Sequence, residues 1–190
     1  MEQVLIEEMT FDKNDFRENP LTKGEYENCV FNNCDFSNSD LTDVKFSGCK
    51  FLGCNMSMTN LTKTALRDIK FNDCKMLGLR FENCNQFGFN VHFDNCILNH
   101  SSFYKLKLKN TTFKNSKLHE VDFTECDLSN SVFDNCDLTR ATFENTIIEK
   151  TDFRTSFNYS IDPENNRIKK AKFSLTGIVG LLDKYDIEIE

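Results

Sequence analysis

The sequence predicts an all-β solenoid, a square coil of about 20 residues per turn stacked along one axis. Three observations predict it. An apolar residue stands at every fifth position from Ile6 through Phe11, Phe16 and Leu21 to Phe81, and again from Phe93 through Leu98 and Phe103 to Phe153. All 29 of these centres are apolar, where a 39% apolar composition would place about 11 by chance. Two residues before the centre the chain commonly keeps a small residue, and all nine cysteines fall in that column, Cys84 preceding the slot that Gln86 fills. In the second run Phe alternates with Leu or Ile, so Phe returns every tenth residue.

A period of five fits neither a helix, at 3.6, nor a strand, at 2. Two inward and three outward positions per five mean that the chain turns at each repeat, and four turns close a coil. Coils would stack at roughly 4.8 Å, with backbone groups paired between them and open edges only at the ends. The alternation then places Phe93, Phe113, Phe133 and Phe153 in one stacked column and Phe103, Phe123 and Phe143 in the facing one. Each buried ring contributes about 1.5–3 kcal/mol. Asn95, Asn115 and Asn135 fall 20 apart and predict a ladder along one corner, since Asn bonds its own backbone and tolerates unusual φ.

The cysteine column contains Ser39, Thr59, Thr64, Ser101 and Thr146 at its other levels, so Cys reads as a small buried residue. Cys29/Cys34 and Cys49/Cys54 are the nearest approach to zinc-ligand spacing, and column membership accounts for both. The odd number argues against a disulfide framework. With 7 Gly and 2 Pro in 190 residues the chain reads as one ordered domain, and its net charge of −7 argues against direct nucleic-acid binding. No apolar run is long enough to span a membrane. Met1–Glu8 carries three Glu and no basic region, so no secretory signal is expected and the cytoplasm is the expected location. His92, His100 and His119 occupy outward positions without a nucleophile–base pattern. No nucleotide-binding glycine motif occurs, so neither an enzyme nor a cofactor is expected.

Units such as CDFSN (34–38), SDLTD (39–43), CDLSN (126–130) and CDLTR (136–140) resemble the A(D/N)LXX units of pentapeptide-repeat proteins. The resemblance runs from about Val4 to Ser156 and implies a right-handed quadrilateral β-helix.

The beat slips by two residues between Phe81 and Phe93. Gln86 stands where an apolar centre is due, and Phe87, Gly88 and Phe89 follow. Either segment 82–92 protrudes and offers Phe87 or Phe89 to a partner, or a bulge absorbs it with both rings inside. The rarity of exposed Phe favours the second reading. A repeat region over 1–157 is followed by a segment over 158–190. There Asp162-Pro163 turns the chain, and Ser174 can cap a short α-helix with an apolar face of Leu175, Ile178, Val179, Leu181, Leu182 and Tyr185. Gly177 and Gly180 weaken that helix, so it needs support from the last coil or from a second copy. Ile187 to Ile189 alternates like a short terminal strand.

The tail IDPENNRI (161–168) and the stretch YENCVFNNCDFSNSDL (26–41) are similar to those of the quinolone-resistance (Qnr) and microcin-immunity (McbG) branches of the pentapeptide-repeat family. That resemblance implies a homodimer joined through the C-terminal helix. It also implies binding to DNA gyrase or topoisomerase IV, with protection from quinolones or a peptide toxin by mimicry of duplex DNA. Unlike many Qnr proteins, the chain runs from Phe51 to Met56 in register with no inserted loop, and only the slip at 82–92 interrupts it.

Bulk charge does not mimic DNA. About eight coils give a rod near 38 Å, over which a duplex carries about 22 charges. Met1–Phe157 has 24 acids and 18 bases, a net of −6. Mimicry would therefore need local stripes. The candidates for topoisomerase binding, besides Phe87 and Phe89, are Asp15, Asp35, Asp40 and Asp43, then Glu120, Asp122, Glu125, Asp127, Asp134 and Asp137. A basic run of Lys105, Lys107, Lys109, Lys114 and Lys117 precedes the second set. The rival reading is a scaffolding repeat protein with an unrelated partner, its outward charges serving solubility.

Overall fold

Repeats pair with those one coil away, as strands in two walls and as single bridges in the others, and the pairing among the described residues is parallel. The computed structural model describes residues 4–188. Strands β1 (Val4–Glu7), β3 (Gly24–Glu27), β5 (Lys45–Ser47) and β7 (Ala65–Arg67) stack into one wall. Strands β2 (Thr10–Asp12), β4 (Val30–Asn32), β6 (Lys50–Leu52), β8 (Ile69–Asn72), β9 (Val91–Asp94), β10 (Thr112–Lys114) and β11 (Val132–Asp134) form the next. Isolated bridges such as Asp15↔Asp35↔Asn55 and Arg80↔Ser102↔Asp122 complete the other two. We name the walls by their first centre: Ile6, Phe11, Phe16 and Leu21.

The core is a pile of rings. Phe31 lies on Phe51 at 4.8 Å and Phe113 on Phe133 at 4.7 Å, each pair nearly parallel. The facing column of Phe103, Phe123 and Phe143 stacks likewise at 5.4 and 5.1 Å. The two columns meet edge to face, with Phe103 and Phe113 at 5.8 Å and 86°. All nine cysteines are buried. Their column is more than small, because its polar atoms donate to a carbonyl of the coil before. The Cys54 thiol reaches Phe31 O at 3.3 Å, Thr59 Oγ1 reaches Phe36 O at 2.7 Å, and Ser131 Oγ reaches Leu108 O at 2.6 Å. The same column also admits Ile69, Leu79 and Leu106, each fully buried.

Corners carry the unusual backbone. Asn33, Asn38, Asp43 and Lys63 have φ between 52° and 63°, and so do Asn95 and Asn135 at 53°. The Asn ladder forms in part: Asn135 Nδ2 donates to Asn115 Oδ1 at 2.9 Å, but Asn115 Nδ2 donates to Asp94 Oδ1 at 3.1 Å and Asn95 Nδ2 to Asp73 Oδ1 at 2.6 Å, so the lower rungs run through Asp.

Pairing continues past Phe157, through Ile147↔Arg167 and Asp152↔Lys172, and Phe173 stacks on Phe153 at 5.5 Å. Beyond it the expected α-helix is not formed. Two short 3-10 segments, Gly177–Leu181 and Asp183–Tyr185, take its place. Gly180 sits so close to the last coil that a Cβ there would collide with the Tyr159 carbonyl, and its own carbonyl accepts Ile161 N–H at 2.8 Å. That carbonyl is thus spent on the solenoid and leaves the helical ladder. Ser174 Oγ accepts Gly177 N–H at 3.0 Å, but the residue that caps the first 3-10 segment is Thr176, without a side-chain bond. The expected terminal strand is likewise not formed at Ile187 and Glu188, and Ile189 lies outside the described residues.

Candidate functional site

Repeats of the form Asp-apolar-Ser/Thr build a corner and a carboxylate together. The Asp Oδ1 accepts the backbone N–H two residues on: Asp35 from Ser37 at 2.8 Å, Asp122 from Thr124 at 2.8 Å, Asp127 from Ser129 at 3.1 Å and Asp137 from Thr139 at 3.2 Å. Asp40 does the same with Thr42, and Asp15 with Arg17. Side-chain hydroxyls of Ser37, Ser129 and Thr139 bond the same oxygen at 2.6–2.7 Å. These six of the ten candidate acids are therefore turn-formers first. Arg17 bonds Asp15 and holds its carboxyl down at about 2. Burial raises the Asp137 carboxyl, but bonds from Thr139, Asn158 and His119 outweigh it and bring it to about 2.

The fold divides the acids by wall. Asp15 and Asp35 stack on the Phe16 wall, with Arg17 at 2.6 Å from one and 3.6 Å from the other. Asp137 continues that row and pairs with His119 at 2.7 Å. Asp134 lies on the Phe11 wall in β11, and Asp127 on the Ile6 wall, bridged to Lys107 and Ile147. The Phe16 wall thus holds three of the ten candidate acids, and the Leu21 wall with its edges holds five. Asp40 and Asp122 share its outer row, Asp43 and Glu125 mark one edge, and Glu120 marks the other. Glu82 and Glu144 join them and were not among the sequence candidates. They follow a centre rather than precede it, and only the 20-residue register reveals the shared wall. Glu120 meets His100 at 3.3 Å and Arg140 at 3.6 Å, and Glu125 meets Lys105 at 3.4 Å.

The slip resolves into one ring in and one ring out. Register steps by 20 at Ala65↔Asn85 and by 22 at Ile69↔Val91, so the two extra residues lie between Asn85 and Val91. Gln86 is exposed, and Phe89 takes its place against the core, edge-on to Phe81 at 6.4 Å. Gly88 provides the turn at φ 70°. Phe87 is 79% exposed, against the expectation that both rings turn inward. The Arg67 guanidinium stands 5.6 Å from its ring centroid.

At the C-terminal end Leu175 is 90% exposed, and Ile178, Val179 and Tyr185 are exposed. Leu181 is half-buried and packs against the core, and Leu182 is half-buried. No group of His, Cys, Asp and Glu among the described residues is arranged to hold a metal ion. No helix of those residues is long and apolar enough to cross a membrane.

A stacked coil with a turn-forming carboxylate in many of its units defines a class of protein, and the comparisons name it. The model of the pentapeptide repeat region matches residues 24–87 and 88–158, and the chain belongs to that family. Its fold is the right-handed quadrilateral β-helix. Two trypsin-treated variants of QnrB1, a plasmid-mediated fluoroquinolone resistance protein, are similar in structure. Each has a TM-score of 0.64, at 18% and 19% identity, over 99% of this chain and 98% of theirs. HetL, a pentapeptide-repeat protein involved in heterocyst differentiation regulation in Nostoc sp. strain PCC 7120, has a TM-score of 0.47 at 13% identity, over 90% of this chain and 85% of its own. No curated protein matches the sequence.

Proposed function

We propose that this protein is a cytoplasmic, dimeric rod that binds DNA gyrase or topoisomerase IV and protects it from quinolones or from a peptide toxin. The observation that carries the reading is the Leu21 wall. Asp40, Glu82, Asp122 and Glu144 line it, with Arg80 as the one base on the wall itself. Asp40 and Asp122 are four coils apart, about 19 Å at the strand spacing. Carboxylates spread over that length in two rows, with Arg80 paired to Glu82 at 3.5 Å between them, can occupy a surface built for a phosphate backbone. The end-to-end likeness to QnrB1 fits this reading. The exposed Leu175, Ile178 and Val179 would meet their counterparts in a second copy.

The test is DNA supercoiling by purified gyrase with a quinolone, or with a peptide poison, and increasing amounts of the protein. Rescue or direct inhibition at micromolar protein supports the reading, and neither effect sinks it. A scaffolding role with an unrelated partner is the second reading, favoured by the use of the acids as turn acceptors. Asp40→Asn with Asp122→Asn separates the two. Asn keeps the turn bond and removes the charge, so protection is lost under mimicry and any scaffolding contact that ignores charge survives.

A further inference from the structure

The Ile6 wall bears a patch of opposite character to the acidic wall. Across its middle coils stand Arg67, Lys107 and Lys109, with Lys63 and Lys105 at the corner it shares with the Leu21 wall and Asp68 as the one acid at these levels. Lys105 and Lys109 each have a partner, Glu125 at 3.4 Å and Asp127 at 3.1 Å. Lys63, Arg67 and Lys107 pair with no carboxylate among the described residues. Phe87 lies in the midst of them. The same row carries Glu27 and Ser47 below and Lys109, Ser129 and Glu149 above, so Phe87 is its one large apolar side chain in that span.

The ring is held in place rather than loose. Asn85 Oδ1 accepts Phe87 N–H at 2.9 Å, Arg67 Nε donates to Phe87 O at 3.4 Å, and the guanidinium faces the ring. An exposed aromatic on a pre-ordered backbone loses little entropy when covered, and covering it removes its apolar surface from water.

We infer that this patch is a docking site for an acidic protein segment that carries an apolar side chain. Charge complementarity selects the acid, and Phe87 selects the apolar contact. The extent of the patch selects a short protein segment over a nucleic-acid strand. The basic band covers three coil levels, about 10 Å from first to last. Glu25 and Glu27 bound it on one side and Glu125, Asp127 and Glu149 on the other. A polyanion running along the rod would leave the band for carboxylates within a few phosphates. This site stands whether or not the partner is a topoisomerase.

Fluorescence anisotropy tests it, with a labelled short peptide of glutamates flanking a pair of leucines and, separately, a labelled oligothymidylate of equal charge. The peptide is expected to bind with a salt-dependent affinity that falls about tenfold in Lys107→Glu and about as much in Phe87→Ser. Lys114→Glu, the same charge change on the Phe11 wall, leaves it unchanged. Thermal unfolding of each variant establishes that it is folded. Absence of peptide binding, equal loss in Lys114→Glu, or tighter binding of the oligothymidylate overturns the proposal.

Discussion

The ring of Phe133 lies over that of Phe113 at 4.7 Å, tilted by only 4°, and each touches Phe123 edge-on at 5.6–5.7 Å. Three rings from two walls thus share one contact in the middle of the rod. Phe113→Ala removes a fully buried ring from it, and the neighbouring coils cannot close the gap without breaking their ladder. We expect a loss of about 3–5 kcal/mol in denaturant unfolding. A loss below about 1 kcal/mol would mean that the coil collapses freely.

Corner geometry makes a second prediction. Asn115 sits at φ 50°, where a β-branched residue is strained. Asn115→Gly keeps the backbone and loses the ladder bonds, whereas Asn115→Val loses both. The Val variant should be less stable than the Gly variant by about 1–2 kcal/mol, measured by urea unfolding.

Acid should unfold the rod through its corners. Asp15 and Asp137 lie at about 2, and Asp35, Asp40, Asp127 and Asp152 are also lowered, from an ordinary value near 3.8. A carboxyl whose folded pKa is depressed contributes its full stabilisation above the unfolded value and loses it as pH falls through the folded one. Stability should therefore hold at neutral pH and fall between about pH 4 and pH 2. Asp137→Asn keeps the turn acceptor and should flatten that fall, as read from melting temperature against pH.

Native thiols should be slow to react. Burial pushes Cys49, Cys126 and Cys136 up to about 12, so little thiolate exists at neutral pH. Labelling with a disulfide reagent is expected to await unfolding and then to reach all nine cysteines. Prompt labelling of most of them in the folded protein would contradict the buried column.

Self-association is predicted to depend on the exposed end. Ile178→Glu with Val179→Glu places charge on side chains that are 47% and 45% exposed, so the coil below should tolerate it. Light scattering should then report a monomer at an unchanged melting temperature. A mass that does not change removes this end as the interface.

Much of this was legible in the chain. The beat of five names nearly every buried centre, the cysteine column and part of the Asn ladder, because each level of a solenoid poses the same local burial problem. What escaped were features that depend on neighbours. Leu106 is fully buried in a column read as small. Phe87 points out and Phe89 in, since one wall position can hold a single ring. The tail, apolar with helical spacing, forms 3-10 segments because Gly180 is drawn against Tyr159 and bonds Ile161.

The repeat period, its inward residues and the parallel stacking were determined by the sequence alone, for they follow from burial along a few adjacent residues. Which charges share a wall was decided only by the tertiary structure. That grouping joins residues 20 apart before the slip and 22 apart across it, as Asp15↔Asp35 and Arg80↔Ser102 do. Two extra residues between Asn85 and Val91 therefore set which later charges stand above which earlier ones. The acidic Leu21 wall and the basic Ile6 wall with Phe87 exist because the ladder re-forms after the slip with Phe89 replacing Gln86 against the core.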